Sequence, residues 1–358
     1  MGEAETPLSV YEEYHNLTEL FHLLNQTLSD CDLGLDENTK RVFLFVLYLA
    51  IFVVGLVENL LVIWVNWQTR SHRNLVNLYI FNMALADLGM ILSLPVWMLE
   101  VMLDYTWLWG DFLCRFTHYF YFANMYSSIF FLTCLSVDRY VSLTTSSHFW
   151  HQHQHVVRRI TCCCIWAFAA IIPLPEVAHV ELTDTIEPLC FFMAPLETYS
   201  EWALGLIILT ALIGFLIPFS IMAVFNILTA IHIKHCNKPE GRKNCHLIYA
   251  YIIVFLISWL PFHLFLLLLT FEGTSIVLHC YVTDFLYFFY DIIDCFTLIH
   301  CVVNPILYNF LSKNFRGKLI SAVVRYIPKD QMDQKGGDGS SSGTQHSIVI
   351  TQDKTSPI

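Results

Sequence analysis

Cys114-Arg115-Phe116 opens, and Asp138-Arg139-Tyr140 closes, the stretch whose reading decides the fold. Between them run Tyr119-Phe120-Tyr121-Phe122-Ala123-Asn124-Met125-Tyr126-Ser127-Ser128 and then Ile129 to Val137. About 25 residues at roughly 1.5 Å each make a helix long enough to cross a bilayer. One end carries an oxidisable thiol and the other a carboxylate beside a guanidinium, so a single helix faces two compartments. Ionisable residues at the edge of an apolar span are costly, and Asp138-Arg139 is therefore read as a functional pair rather than a surface ion pair.

The rest of the chain agrees. Hydrophobic residues make up 56% of it, aromatics 15% and charged residues only 14%, too apolar for a soluble protein of 358 residues. Long apolar runs fall at 42–67, 75–103, 112–137, 157–178, 200–232, 246–271 and 281–311. They predict an all-α membrane protein, a bundle of seven transmembrane helices over 42–311. Prolines inside several runs predict kinks.

Charge orients the bundle. Sixteen of the nineteen Lys and Arg lie in segments on one side of the predicted spans, and only Lys40, Arg41 and Arg115 on the other. Positive residues stay in the cytosol, which predicts a multi-pass protein of the cell membrane with an extracellular N-terminus and a cytoplasmic C-terminus. The acidic residues are skewed the opposite way, so the net charge of −11 hides a strongly negative outward face. Such a field attracts cationic partners and repels acidic ones.

Residues 1–41 are polar and acidic and read as a disordered extracellular tail. Asn16-Leu17-Thr18 and Asn25-Gln26-Thr27 are glycosylation sequons there, and Tyr11-Glu12-Glu13-Tyr14 sets two tyrosines among carboxylates, as either sulfation sites or plain solvated tyrosines. Four cysteines face outward: Cys31, Cys114, Cys190 and Cys280. Four allow three pairings, of which Cys114–Cys190 and Cys31–Cys280 are expected. After the seventh run, Lys313-Asn314-Phe315-Arg316-Gly317-Lys318-Leu319 begins an amphipathic helix over 312–328 lying on the inner leaflet. Residues 329–358 form a second disordered tail, in which Ser340, Ser341, Ser342, Thr344, Ser347, Thr351, Thr355 and Ser356 are candidate phosphoacceptors.

Polar groups inside the spans persist only when partners or water solvate them. Asn59, Asp87, Asn124, Ser128 and Asn304 are expected to form one hydrated cluster, holding a sodium ion or standing as a hydrogen-bond network without one. No transition-metal site is expected, because no paired histidine and cysteine spacing accompanies the remaining cysteines. His148, His151, His153 and His155 read as a solvated cytosolic turn rather than a ligand set, and an enzyme is not expected. A transporter or channel would show internal repeats or polar faces on several spans, and neither is seen.

Asn59, Asp87, Asp138-Arg139-Tyr140, Trp166, Pro218, Trp259-Leu260-Pro261 and Asn304-Pro305-Ile306-Leu307-Tyr308 together resemble the motifs of the rhodopsin-like G-protein-coupled receptors, in the family's order and one per span. Ser93-Leu94-Pro95 with Trp97, Trp109, the extra Cys31 and Cys280, and His300-Cys301 are similar to the chemokine receptors. The resemblance implies a ligand pocket lined by Trp97, Trp109, Tyr121, Tyr290 and the acid Asp294, with Asp291 nearby. It also implies a switch to the transducer built from Asp138, Arg139, Tyr140, Trp259, Asn304, Pro305 and Tyr308.

The departures point further. Val141-Ser142-Leu143-Thr144 follows Asp-Arg-Tyr where signalling members have Leu-Ala-Ile-Val, Asn226 stands where a tyrosine is usual, and Ser258 replaces a cysteine. That pattern is similar to the atypical chemokine receptors, which internalise chemokines, and it implies arrestin as partner, cycling through endosomes and weak coupling to a heterotrimeric G protein. The alternative is a conventional G-protein-signalling receptor for a chemokine or for a peptide hormone of the adrenomedullin kind. An amine receptor would carry an aspartate where this chain has Tyr121.

Overall fold

The structure is a computed structural model and describes residues 34–68, 76–145, 148–183, 186–195, 197–235, 241–273, 280–311 and 317. Asn16, Asn25, Tyr11, Tyr14 and Cys31 lie outside the described residues, as do the stretch 312–328 apart from Gly317 and the tail 329–358.

Among the described residues seven helical spans are long and apolar enough to cross a membrane, as the seven runs predict. In chain order the elements are α1 (Glu37–Gln68), α2 (Val76–Met102), α3 (Gly110–Thr144), α4 (His148–Ile171), the single turn α5 (Leu174–Val177), strands β1 (Val180–Leu182) and β2 (Cys190–Phe192), α6 (Tyr199–Leu209), a π-helical segment (Thr210–Leu216), α7 (Ile217–His235), α8 (Gly241–Gly273), α9 (Cys280–Thr297) and α10 (Ile299–Leu311). α6, the π segment and α7 make the fifth span, and α9 with α10 the seventh.

The first helix begins at Glu37, five residues before its apolar run. Asp36 accepts hydrogen bonds from the Asn38 N–H at 3.1 Å and the Thr39 hydroxyl at 2.5 Å, and so caps the first turn. The Thr39 hydroxyl and Asn38 N–H hold its carboxyl below the usual carboxylate range. Farther along, Val42, Val46, Val53, Val57 and Leu60 are exposed at helical spacing, a stripe that lipid would cover. The four histidines expected in a turn instead lie in the first two turns of α4.

α3 is the central post. It packs against α2, α4, α7 and the hairpin, and buries Asn124 to Ile129 in one continuous run. At its head Cys114 is bonded to Cys190, the first residue of β2. The hairpin pairs antiparallel with Val180 opposite Phe192 and Leu182 opposite Cys190, so the disulfide pins a strand across the mouth of the bundle. The Cys31–Cys280 pairing lies outside the described residues, since Cys31 is not among them.

Prolines shape the fifth and seventh spans. The ring of Pro218 follows the π segment, whose end is marked by the Ile217 N–H reaching Leu212 O, one residue farther than an α-helix allows. Pro305 has no N–H to offer the Cys301 carbonyl one turn earlier, and the Asn59 amide donates to that carbonyl instead at 2.9 Å. The seventh span is not one helix, as its apolar run predicts, but breaks at Leu298. There the Thr297 hydroxyl donates to Asp294 O at 2.6 Å and the His300 ring bonds Thr297 O, so side chains compete with the backbone ladder.

Two substitutions test this packing. Asn59→Ala strips the Cys301 carbonyl of its side-chain donor and is expected to cost about 1–3 kcal/mol of stability, read as a lower melting temperature in detergent. Gly89→Ala would place a Cβ 2.4 Å from Asn124 Oδ1, where α2 and α3 touch, and is expected to destabilise by about 1–3 kcal/mol. Gly205→Ala, whose Cβ meets nothing within 4 Å, is the neutral control.

Candidate functional site

At the Cys114 end of the bundle, aromatic rings and carboxylates converge. Trp97 on α2 packs edge-on against His118 at 4.9 Å and Tyr121 at 6.2 Å, both on α3. On the other side Tyr290 faces Phe262 at 6.4 Å between ring centroids. Tyr48, Tyr121 and Tyr290 all gather within charge range of Asp294. The ring set expected from sequence is thus brought together with one exception. Trp109 sits behind Trp107, 4.9 Å from it, and packs in a small cluster with Cys114, Val180 and Cys190. Its loop is tied down there because the Trp107 N–H donates to Pro188 O at 2.7 Å and the Trp107 indole to Gly110 O at 3.0 Å.

Asp291 already has partners. The Tyr105 hydroxyl donates to its Oδ2 at 2.5 Å, and Lys40 Nζ lies 3.5 Å from the same oxygen. Lys40 is itself buried, 2.7 Å from Glu37 and 5.0 Å from the centre of the Phe288 ring. Burial and the Asp291 charge together push the Tyr105 phenol above its ordinary range, so it remains a donor. Asp104 and Tyr105 both adopt left-handed backbone, with φ of 57° and 62°, a conformation costly for residues with a Cβ. Arg41, 3.0 Å from Asp104, helps hold that turn. Glu100 is a further buried carboxylate within charge range of Asp291.

Midway through the bundle lies the polar cluster. Ser128 donates to Asp87 Oδ1, and Asn304 to Asp87 Oδ2 at 3.5 Å. Asn59 and Asn124 do not bond Asp87: Asn59 serves the carbonyls of Gly55 and Cys301, and Asn124 that of Phe120 at 2.7 Å. Backbone carbonyls one turn back claim these amides before a carboxylate can. A narrow void beside the acid is lined by Asn59, Val62, Ile80, Met83, Ala84, Asp87, Asn304 and Pro305. The buried oxygens Asn59 Oδ1 and Asn304 Oδ1 have no hydrogen-bond partner. Carboxylate, hydroxyl and carboxamide oxygens are the donors an alkali cation takes, so the chemistry of these residues suits a sodium ion, although the void as it stands is too tight for a water molecule beside it. Asp87, His300 and Cys301 also bring possible ligand atoms within 4.8 Å of one another.

Trp259 caps this cluster toward the aromatic end, 5.3 Å from His300 and 6.2 Å from His263. Its indole N–H, the neighbouring Ser258 hydroxyl and both nitrogens of His263 are buried without partners. Trp166 on α4 donates to Asn82 at 3.0 Å and joins the second and fourth spans.

The opposite end holds the Asp138-Arg139-Tyr140 motif, and here the expected pairing changes. Asp138 does not bond Arg139. It accepts two hydrogen bonds from Arg158 on α4, Nε to Oδ1 at 2.7 Å and Nη2 to Oδ2 at 2.8 Å. Arg139 instead lies over the Tyr251 ring on α8, 4.9 Å from its centre, and Tyr140 packs edge-on against Phe225. Neighbours on a helix diverge by about 100°, so adjacency in sequence does not put two side chains together. Asn226 donates to the Ser136 hydroxyl at 3.1 Å. Pro305 lies within α10, and of Tyr308 only the backbone is described. Sequence reading missed Lys40, Glu100, Tyr105, His118 and Arg158. For Arg158 a signal was present, since it is a charged residue at the threshold of an apolar run.

Comparison with known proteins accords with this arrangement. The sequence matches the profile of the 7 transmembrane receptor (rhodopsin family) over residues 58–308. It is 61% identical to G-protein coupled receptor 182 of Rattus norvegicus over 353 residues, 98% of this chain and 89% of that protein. Identity to atypical chemokine receptor 3 of Homo sapiens is 33% over 356 residues, 95% of this chain and 97% of that one. With the type-1 angiotensin II receptor of Pan troglodytes it is 30% over 307 residues, 84% and 85% of the two chains. These relatives are receptors and not enzymes. The chain therefore belongs to the rhodopsin family of seven-transmembrane receptors.

Proposed function

We propose that this chain is a cell-surface receptor that binds basic chemokines and removes them by internalisation, with little or no G-protein signalling. In this reading the Cys114 end faces outward and the Asp138 end faces the cytosol. The observation that carries it is the full-length similarity to atypical chemokine receptor 3. The acidic mouth supports it: Glu37, Glu100, Asp104, Asp291 and Asp294 surround the aromatic floor, with Lys40 and Arg41 as counter-charges. Long-range attraction would steer a cationic protein to that end, and its flexible basic segment would enter toward Asp294. Low dielectric strengthens each ion pair there but penalises a carboxylate left alone.

Asn226 and Ser258 support weak coupling to G proteins. Asn226 is buried and spends its amide on Ser136, where a tyrosine would carry a hydroxyl across the bundle. Arrestin would then be the cytosolic partner, and uptake the main output. A sodium ion, when bound, would be held by Asp87, Ser128 and Asn304 and would offset the buried carboxylate. The second reading, a G-protein-signalling receptor for a chemokine or peptide hormone, draws on the similarity to a receptor for angiotensin II.

Asp294→Asn is expected to weaken binding of a labelled basic chemokine to the receptor about tenfold, or ~1.4 kcal/mol, through the pocket more than through the N-terminal tail. Equal affinity for wild type and variant across a chemokine panel would count against the pocket assignment. The functional reading is tested in cells lacking other chemokine receptors. Uptake of labelled chemokine with arrestin recruitment and flat cyclic AMP and calcium traces is the expected result; robust ligand-driven second-messenger responses would overturn it.

A further inference from the structure

Two features at the Asp138 end meet at one point. Ser142 is one of the residues by which the chain departs from the signalling pattern, and its hydroxyl accepts a hydrogen bond from Arg158 Nη2 at 3.0 Å. The same guanidinium forks onto both oxygens of Asp138. Asp138 and Arg158 side chains are 4% and 3% exposed, so this is a buried, charge-assisted, two-point contact. Arg139, the next residue along, turns to another face of α3 and meets the Tyr251 ring. Among the described residues no carboxylate lies within ion-pair distance of Arg139. The Asp138 carboxylate is thus engaged from the α4 side, while Arg139 meets the α8 side.

We propose that Arg158 is the positioning residue of the transducer face: with Ser142 it draws Asp138 onto the fourth span and leaves Arg139 without an ion-pair partner among the described residues. This rests on reading the Asp138 end as the face that meets transducers. Among the described residues Arg139 is then held by an aromatic ring on α8. A partner that takes up Arg139 displaces that ring contact and breaks no ion pair among these residues, so the engaged state is well populated without ligand. The clamp also welds the ends of α3 and α4, which confines motion to the α8 side. Ser142 and Arg158 act as one unit, since the same Nη2 donates to the Ser142 hydroxyl and to Asp138.

The test is a set of double-mutant cycles on the purified full-length receptor, read as melting temperature in nanodiscs. Asp138→Asn and Arg139→Gln are expected to add independently in the wild-type background, and to become non-additive once Arg158→Gln frees the carboxylate to swing to Arg139. Asp138→Asn and Arg158→Gln are expected to be strongly coupled. Should Arg158→Gln fail to fold, Arg158→Lys, which keeps the charge and loses the fork, takes its place. In cells, ligand-independent arrestin recruitment per surface receptor should fall several-fold in Arg158→Gln, less in Ser142→Ala, and recover in Asp138→Asn/Arg158→Gln. Coupling between Asp138 and Arg139 in the wild type, normalised recruitment unmoved by Arg158→Gln, or no basal recruitment by the wild type would each overturn the proposal. Neither readout uses a chemokine, so a failure of the ligand reading shows separately in the uptake assay.

Discussion

In hydrocarbon a backbone carbonyl that loses its helical donor must find another inside the protein, and this constraint organises the interior. Pro305 creates such a carbonyl at Cys301, and the amide of Asn59, more than two hundred residues away in sequence, fills it. Once Asn59 is committed to the seventh span, α1 and α10 are held together, and Asp87 on α2 lies opposite Asn304. Ser128 then ties α3 to the same acid. A deficit of one hydrogen bond, set by one proline, thus brings four spans to a single polar centre.

Charge plays the corresponding part at the two ends. At the Cys114 end, Lys40 sits among Glu37, Asp291 and Phe288 and partly neutralises the carboxylates there. On the proposed reading a ligand would have to displace that tethered ammonium from Asp291, whereas Asp294, one turn farther along α9, lies among Tyr48, Tyr121 and Tyr290. At the far end the strongest charge contact bypasses the arginine beside it in sequence and crosses to α4. Both ends follow one rule: a charge in a dry setting goes to the partner with the better geometry rather than the nearer one in sequence.

The seven spans were legible because each needs only a long apolar run, and nothing else in the sequence mimics that. The Cys114–Cys190 bond was legible because few thiols face that side. Features that depend on three-dimensional phase were not. The start of α1 hides behind Lys40 and Arg41, polar in sequence yet helical because Asp36 caps the turn. The break at Leu298 precedes Pro305 by two turns, since hydroxyl and imidazole side chains, not the proline ring, take the carbonyls there. Trp109 reads as a ligand contact by its neighbourhood in sequence but packs behind Trp107 once the hairpin is fastened. Pairing Asp138 with Arg139 was the natural reading of adjacent opposite charges, but Arg158, twenty residues on, takes the carboxylate.

The π segment from Thr210 to Leu216 adds, in effect, one residue to the fifth span without lengthening what it must cross. Every side chain beyond it is rotated by about 100° relative to an unbroken α-helix. Asn226, which donates to Ser136 on α3, lies beyond that offset. The aromatic end and the Asp138 end of this span are out of register with each other by one residue, and losing that residue would realign one end at the expense of the other.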